Sequence, residues 1–265
     1  MGLFNPMKLK TIWKGLVMFN FEDQRIIVTG GTRGIGRGLS EAFLKAKGSV
    51  IATYTSNDEA AEKFKWEVEN KFPGAHLDIR KFDVSDNNSV ESFYQYLDEN
   101  YPSIEVLVNN SGIRRDAVGA LMDEKDWKKV LEINLDGTFY MSKQAILRFM
   151  KKRYGRIINM SSVGGKIGLA GQGNYTASKA AQIALAKSLS KEVGKKGITI
   201  NSVCPGFIET DLISDLPEDQ KSLYKKQVPL KRFGKIEEVA HGVLFLASKQ
   251  ASYITGTSLD ISGGL

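Results

Sequence analysis

Arg25-Ile26-Ile27-Val28-Thr29-Gly30-Gly31-Thr32-Arg33-Gly34-Ile35-Gly36 is an apolar run that ends in glycines, the pattern of a buried parallel strand entering a turn. Beyond it Leu39, Ala42, Phe43 and Ala46 recur at helical spacing, and Gly48 closes the helix. A glycine-rich turn between a strand and a helix suits a dinucleotide phosphate. Glycines let the backbone turn tightly and approach a pyrophosphate, while the helix N-terminus offers N–H donors and a favourable dipole. The spacing here is TGxxxGxG rather than GxGxxG.

The rhythm that begins there continues. Strands are expected at 49–53, 77–82, 104–108, 156–160, 198–203 and 258–261. Helices are expected over 64–72 (ended by Pro73-Gly74), 90–97, from about Lys125, through Thr138 to Lys152, around Tyr175, and over 236–246. Strands alternating with helices of this length imply an α/β fold, a Rossmann domain with a parallel sheet covered on both faces. Seven strands are counted. The polar segment 206–234, which holds Pro217 and Pro229, is too long for an idle loop in a compact domain and is read as a substrate lid.

Composition narrows the class. With 42% hydrophobic and 25% charged residues over 265 positions, the chain suits a soluble globular protein, and without repeats or a Pro/Ser-rich linker it reads as one domain. A single cysteine, Cys204, fits a reducing compartment, so the cytoplasm is expected, and its apolar neighbours make it a buried small hydrophobe. The surplus of +7 is concentrated only at Lys151-Lys152-Arg153-Tyr154-Gly155-Arg156. No zinc-finger, RNP or basic-zipper pattern accompanies it, so nucleic acid is not an expected partner. His76 and His241 stand far apart, and no metal-ligand cluster is visible. Residues 1–19 form a separate extension in which Leu9, Ile12, Trp13, Leu16 and Val17 share a helical stripe, an amphipathic pattern too short to span a bilayer.

The chemistry is concentrated in Asn174-Tyr175-Thr176-Ala177-Ser178-Lys179. A phenol and an ammonium four residues apart share one helix face. A nearby Lys⁺ favours phenolate, which is expected to draw the Tyr175 pKa down and make it a general acid–base.

That pair, the TGxxxGxG loop, Asn109-Asn110-Ser111-Gly112, Ser162 thirteen residues before Tyr175, and Pro205-Gly206 together resemble the short-chain dehydrogenases/reductases. Within that family, Gly112-Ile113-Arg114-Arg115-Asp116, Pro205 to Asp211 and the ending Ile254-Thr255-Gly256 to Gly263-Gly264 look most like the 3-oxoacyl-[acyl-carrier-protein] reductases. The resemblance runs from about Asn20 to Gly264.

The resemblance implies four catalytic residues. Ser162 would hydrogen-bond the substrate carbonyl and Tyr175 protonate its oxygen. Lys179 would lower the Tyr175 pKa and hold the nicotinamide ribose, and Asn134 would anchor a water in the proton relay to Lys179. Adjacent Ser161 is a rival for the first role, but only Ser162 has the family spacing. Cofactor contacts are implied at Gly30, Thr32, Arg33, Gly34, Ile35, Gly36, Thr55, Asp83, Val84, Asn110, Gly112, Tyr175, Lys179, Pro205, Gly206, Ile208 and Thr210. At the end of the second strand, Thr53-Tyr54-Thr55-Ser56-Asn57 holds no acid before Asp58. Nothing there repels a ribose 2′-phosphate and Arg33 can pair with one, so NADPH is the expected cofactor.

Acyl carrier protein is the implied partner, docked on a basic rim at Arg153 and Lys196 beside the active-site mouth, and a homotetramer is the implied assembly. Ser111 stands where the family usually has alanine, and Leu265 ends the chain a few residues short of many relatives. Alternative substrates on this fold are acyl-CoA, polyketide, sugar or steroid-like alcohols and ketones, and a non-catalytic nucleotide-binding protein is the alternative outside enzymology.

Overall fold

In the computed structural model, which describes residues 19–210 and 217–265, seven parallel strands form one sheet in the order β3-β2-β1-β4-β5-β6-β7. They are β1 Arg25–Val28, β2 Ser49–Tyr54, β3 Leu77–Lys81, β4 Val106–Asn109, β5 Gly155–Met160, β6 Ile198–Pro205 and β7 Ser258–Ile261. The helices between them are α1 Gly34–Lys45, α2 Asp58–Lys71, α3 Asn87–Asn100, α4 Glu124–Leu131, α5 Gly137–Lys152, α6 Gly164–Ile167, α7 Gly173–Val193, α8 Glu218–Gln227 and α9 Ile236–Ala247. This is the expected Rossmann arrangement. The amphipathic reading of the N-terminal extension falls on residues 1–18, outside those described.

Alternation along each strand divides the core between the two faces. Ile26, Val28, Val50, Ala52, Val106 and Val108 pack with Leu39 and Phe43 of α1 and Val239 and Val243 of α9. Ile27, Ile51 and Leu107 point the other way, onto Tyr94 of α3, Met141 and Phe149 of α5 and Ala186 of α7. Both faces are therefore dry, as the apolar strand sequences require.

Three helices begin with a side-chain cap. Asn57 accepts from Ala60 N–H at 2.9 Å, Asp86 from Asn88 N–H at 3.0 Å, and Asp123 from Lys125 N–H at 2.7 Å. Each satisfies a donor the helix would leave orphaned. α1 has no such cap and no acid in its first turn, so its N–H groups and positive dipole end face outward from the glycine loop.

The sheet order reverses between β1 and β4, the switch point at which open α/β sheets form a ligand crevice beyond the strand C-termini. Thr29 Oγ1 accepts from the N–H groups of Asn110 and Ser111, both at 2.9 Å, and Asn110 Nδ2 donates back to the carbonyls of Thr29 at 2.9 Å and Gly30 at 3.1 Å. The glycine loop is thus stitched to the end of β4 at the crevice.

Strand ends depart from the sequence reading by one or two residues, most at β4, which starts at Val106, and β6, which runs on to Pro205. The sequence shows two helices around residues 125–152 but not how they join. Glu132–Asp136 form a π-helical turn that connects α4 to α5 without a loop.

Candidate active site

Tyr175 and Lys179 lie in the first two turns of α7, and Ser162 lies two residues past β5, so the three meet at the C-terminal edge of the sheet. Ser162 Oγ accepts from Gly164 N–H at 3.1 Å and faces the Tyr175 hydroxyl, whose ionised form it favours. Ser161 is buried and donates to the Lys179 carbonyl at 2.7 Å. Its hydroxyl braces α7, which leaves Ser162 as the serine on the tyrosine.

The Lys179 ammonium is buried, donating to the Met160 carbonyl at 2.7 Å and to Gln182 Oε1 at 3.3 Å, and it lies 5.6 Å from the centre of the Tyr175 ring. Burial pulls it from the ordinary lysine value of 10.5 to about 8. Tyr175 moves in the direction opposite to the expected one. Burial raises it above the usual phenol range, against smaller lowering effects of Ser162 and Arg114, and Asp116 adds to the rise. The expectation of a lowered Tyr175 weighed the lysine charge and not the desolvation of the phenol.

These directions predict a pH dependence of stability. Lys179 titrates near 10.5 when unfolded and near 8 when folded, so between those values the unfolded chain binds more protons and stability rises with pH. The gain is complete above the upper value and gone below the lower one. Tyr175, held protonated by burial, works the other way above its ordinary 10.0. Urea midpoints of the wild type should therefore climb relative to those of Lys179→Met from about pH 8 to about pH 10; parallel curves would remove the effect.

Asn134 sits in the π-turn and is fully buried. Its side chain clamps the loop after β4, accepting from Ile113 N–H at 2.8 Å and donating to the Ile113 carbonyl and to Ser178 Oγ, both at 3.0 Å. Its backbone carbonyl accepts from Thr138 Oγ1 at 2.7 Å and from Gln182 Nε2 at 2.6 Å. A Cβ on Gly112 would come 3.2 Å from Asn134 Oδ1 and 3.4 Å from Lys179 Nζ, which places that glycine against both residues. Asn174, also fully buried, donates to the Arg115 carbonyl at 2.9 Å and accepts from Tyr175 N–H at 2.7 Å, holding the same loop along the start of α7.

The loop Gly30 to Gly36 borders a cleft of about 790 Å³ lined by Thr32, Arg33, Gly34, Arg37, Lys63, Thr210, Lys221 and Lys225 among others. It takes in Thr32, Arg33 and Gly34 of the glycine loop and not Ser162 or Tyr175, so it is the end of the crevice away from the serine and tyrosine hydroxyls. Five cations face two carboxylates, Glu209 and Glu218, across it. Arg37 is engaged by Glu41 and Glu67, and Lys221 by Glu218 at 2.9 Å. Lys63, Lys221 and Lys225 escaped the sequence reading. Only the four-residue spacing of the last two on one lid helix could have pointed to them.

The other expected cofactor positions lie along the same edge. Asp58, the first acid past β2, pairs with Lys81 at 2.8 Å and accepts from the Tyr54 hydroxyl at 2.9 Å, and Thr55 donates to the Phe82 carbonyl at 3.4 Å. Asp83 accepts from Ser85 N–H and Oγ at 2.9 and 2.7 Å, and Val84 is buried against Gly137. Gly206 donates to the Ile261 carbonyl at 3.0 Å, Pro205 accepts from Val163 N–H at 3.0 Å, and Ile208 is buried. The described part of the 206–234 segment carries α8 over the cleft, while residues 211–216 lie outside the described residues.

Arg153 and Lys196 are brought together but not at the mouth. Arg153 ends α5 in a left-handed conformation (φ 53°) and donates to the Lys195 carbonyl at 3.0 Å. Both residues precede the first residues of β5 and β6, whereas Ser162 follows the last residue of β5. A strand rises roughly 3.3 Å per residue, so the length of β5 separates this pair from Ser162, and the expected basic rim is at the opposite edge of the sheet. The error came from reading proximity in sequence to a strand without regard to which end of it bears the site.

Comparison with known proteins agrees with this geometry. A family model described as Enoyl-(Acyl carrier protein) reductase matches residues 30–265. The chain is 44% identical over 243 residues, 90% of this chain and 96% of the relative, to 3-oxoacyl-[acyl-carrier-protein] reductase FabG of Aquifex aeolicus. It is 41% identical to the proteins of that name from Escherichia coli, over 93% of this chain and 98% of the relative, and Haemophilus influenzae, over 90% and 96%. With its parallel sheet, glycine loop and Ser162–Tyr175–Lys179 cluster, the chain belongs to the short-chain dehydrogenase/reductase family and is similar within it to the 3-oxoacyl-[acyl-carrier-protein] reductases.

Proposed function

We propose that the protein reduces a 3-oxoacyl thioester on acyl carrier protein to the 3-hydroxyacyl thioester, using NADPH, in fatty-acid elongation. The observation that carries this reading is the Ser162 hydroxyl facing the Tyr175 hydroxyl beside a buried ammonium. Two hydroxyl donors at one point suit a carbonyl oxygen that becomes negative as its carbon is reduced. The printed names of the relatives support the substrate.

The family's nicotinamide cofactor fits the crevice. The backbone at Gly36 is packed so closely on Gly30 and Asn110 that no Cβ has room, the compact turn a pyrophosphate needs, and α1 presents an uncapped N-terminus to it. Gly30 to Gly36, Asn110 and Lys179 would hold the group, which supplies a hydride when bound. Ser162 orients the substrate carbonyl and donates to its oxygen. Burial keeps the proton on Tyr175 until the oxygen develops charge and takes it. The Lys179 ammonium then favours the phenolate left on Tyr175 until it is reprotonated.

The cation-rich cleft and the engaged state of Asp58 support NADPH over NADH. Arg33→Ala is expected to weaken NADPH by about 1.5–3 kcal/mol, or roughly ten- to a hundredfold in KM, with NADH little changed. Equal kcat/KM for the two cofactors in the wild type would overturn the preference.

The reading as a whole is tested with purified protein and acetoacetyl thioesters on carrier protein and on CoA, each with NADPH and NADH, alongside a 2-enoyl thioester. Turnover only of the CoA thioester would favour another metabolism. Faster reduction of the enoyl substrate would move the reaction from the carbonyl to the carbon–carbon double bond named by the family model. Localisation in the cytoplasm and a homotetramer belong to the same proposal. Among the described residues no helix is long and apolar enough to cross a membrane. Carrier protein docked at Arg153 and Lys196 would, given their edge of the sheet, serve the mouth of a neighbouring copy in that tetramer.

A further inference from the structure

The side chain of Gln182 is fully buried one helical turn beyond Lys179 and all its hydrogen-bonding groups have partners. Its Oε1 accepts from the Lys179 ammonium at 3.3 Å. Its Nε2 donates to the Asn134 carbonyl at 2.6 Å and to Thr138 Oγ1 at 2.8 Å. Only one orientation of the amide satisfies these neighbours, because an ammonium can only donate and a backbone carbonyl can only accept. The Thr138 hydroxyl already donates to the Asn134 carbonyl at 2.7 Å, so it is free to accept from Gln182. Both lone pairs of that carbonyl are then taken by protein donors.

We propose that Gln182 is a positioning residue for the reaction, a fixed amide bridge that couples the Lys179 ammonium to the π-turn carbonyl of Asn134. The inference rests on the assignment of Lys179 to the reaction. The Asn134 carbonyl is held by an amide and a hydroxyl. The bridge holds Nζ toward Tyr175 and fixes the π-turn whose Asn134 side chain clamps Ile113.

Other groups near Lys179 leave Gln182 an influential neighbour. On α7 itself the titratable group is Tyr175, and from β6 it is the buried Cys204 thiol. Arg114 and Asp116, in the loop after β4, bear on Tyr175. Among the described residues no carboxylate pairs with the ammonium, whose two recorded acceptors are neutral oxygens. Losing one of two acceptors disfavours the charged form.

The test is the pH profile of Gln182→Met, which keeps the side-chain length and removes the amide. The alkaline limb of kcat/KM, where the ammonium is lost, is expected to move down by about one pH unit, a fall of about threefold at pH 7.5 that approaches tenfold above about pH 9, while KM for the cofactor changes less than threefold. A folded Gln182→Met protein whose limb does not move would overturn the proposal, as would a loss of thermal stability alone. A second measurement needs no Gln182 variant. In wild-type protein labelled with ¹⁵N at glutamine side chains, one amide resonance should titrate with Lys179, and that titration should vanish in Lys179→Met. No such resonance would overturn the bridge. If Lys179→Met retained turnover, the assignment of Lys179 would fail, an outcome separate from the amide titration.

Discussion

Tyr175→Phe is expected to lower kcat by about 10²–10⁴-fold, the usual contribution of a positioned general acid, while leaving the dissociation constant of NADPH within about threefold. The substitution removes one oxygen. The ring stays packed on α7, half-buried, 5.6 Å from the Lys179 ammonium. The substrate oxygen keeps only the Ser162 donor and lacks a proton source. Stability should change little, and its direction follows from burial: the phenol is desolvated in the folded protein, so removing it takes away a buried polar group. Single-turnover reduction of acetoacetyl thioester, with NADPH fluorescence for binding, separates the two effects. A variant that kept more than about a tenth of the wild-type rate would overturn the role of Tyr175.

The layout of the sheet and the identity of the residues at its C-terminal edge were legible because they are local patterns. The apolar run Arg25 to Val28 reads as a strand buried on both faces, and the spacing Gly30 to Gly36 as a tight turn leading into a helix, which the structure shows to be uncapped at its start. Tyr175 and Lys179 share a helix face by arithmetic. What was not legible depends on distances between elements. The direction of the Tyr175 shift needed the depth of the phenol and not only its neighbour. The π-turn at Glu132–Asp136 has no sequence signature, since its extra residue is accommodated by Gln182 and Thr138 from α7 and α5 holding the Asn134 carbonyl. In sequence Gln182 looks like one more polar residue on a helix that carries many, and only its burial sets it apart from those that face water. The Arg153 and Lys196 error is of the same kind. A basic residue adjacent to a strand in sequence can lie at either end of the sheet, and only the direction of the strand shows which.

The second large effect is expected at Gly36→Ala, and it tests whether the loop rather than the cleft as a whole holds the cofactor. A Cβ at residue 36 would overlap the Gly30 carbonyl oxygen, come 2.5 Å from Asn110 Nδ2 and 2.9 Å from the Gly30 carbonyl carbon. Two of those atoms are backbone and cannot rotate away. The third belongs to the amide that ties Thr29 and Gly30 to β4, so relief of the overlap breaks the stitch at the switch point. Overpacking of this kind costs about 1–3 kcal/mol of stability. The larger loss is functional, because the N–H groups of the loop and of the first turn of α1 are displaced together from a pyrophosphate. A rise of at least about a hundredfold in the NADPH dissociation constant is expected, or roughly 2.7 kcal/mol. Gly34→Ala is the control. Gly34 has φ of 53° but nothing within 4 Å of a Cβ, so alanine there meets conformational strain of about 1–2 kcal/mol without collision. It should bind NADPH more tightly than Gly36→Ala by at least about tenfold, or ~1.4 kcal/mol. Fluorescence titration and urea midpoints of the two variants read both quantities. If Gly36→Ala bound NADPH within about threefold of the wild type, the close approach at Gly36 would not be what holds the cofactor phosphates, and the cations Arg33, Lys63, Lys221 and Lys225 across the cleft would have to account for that binding.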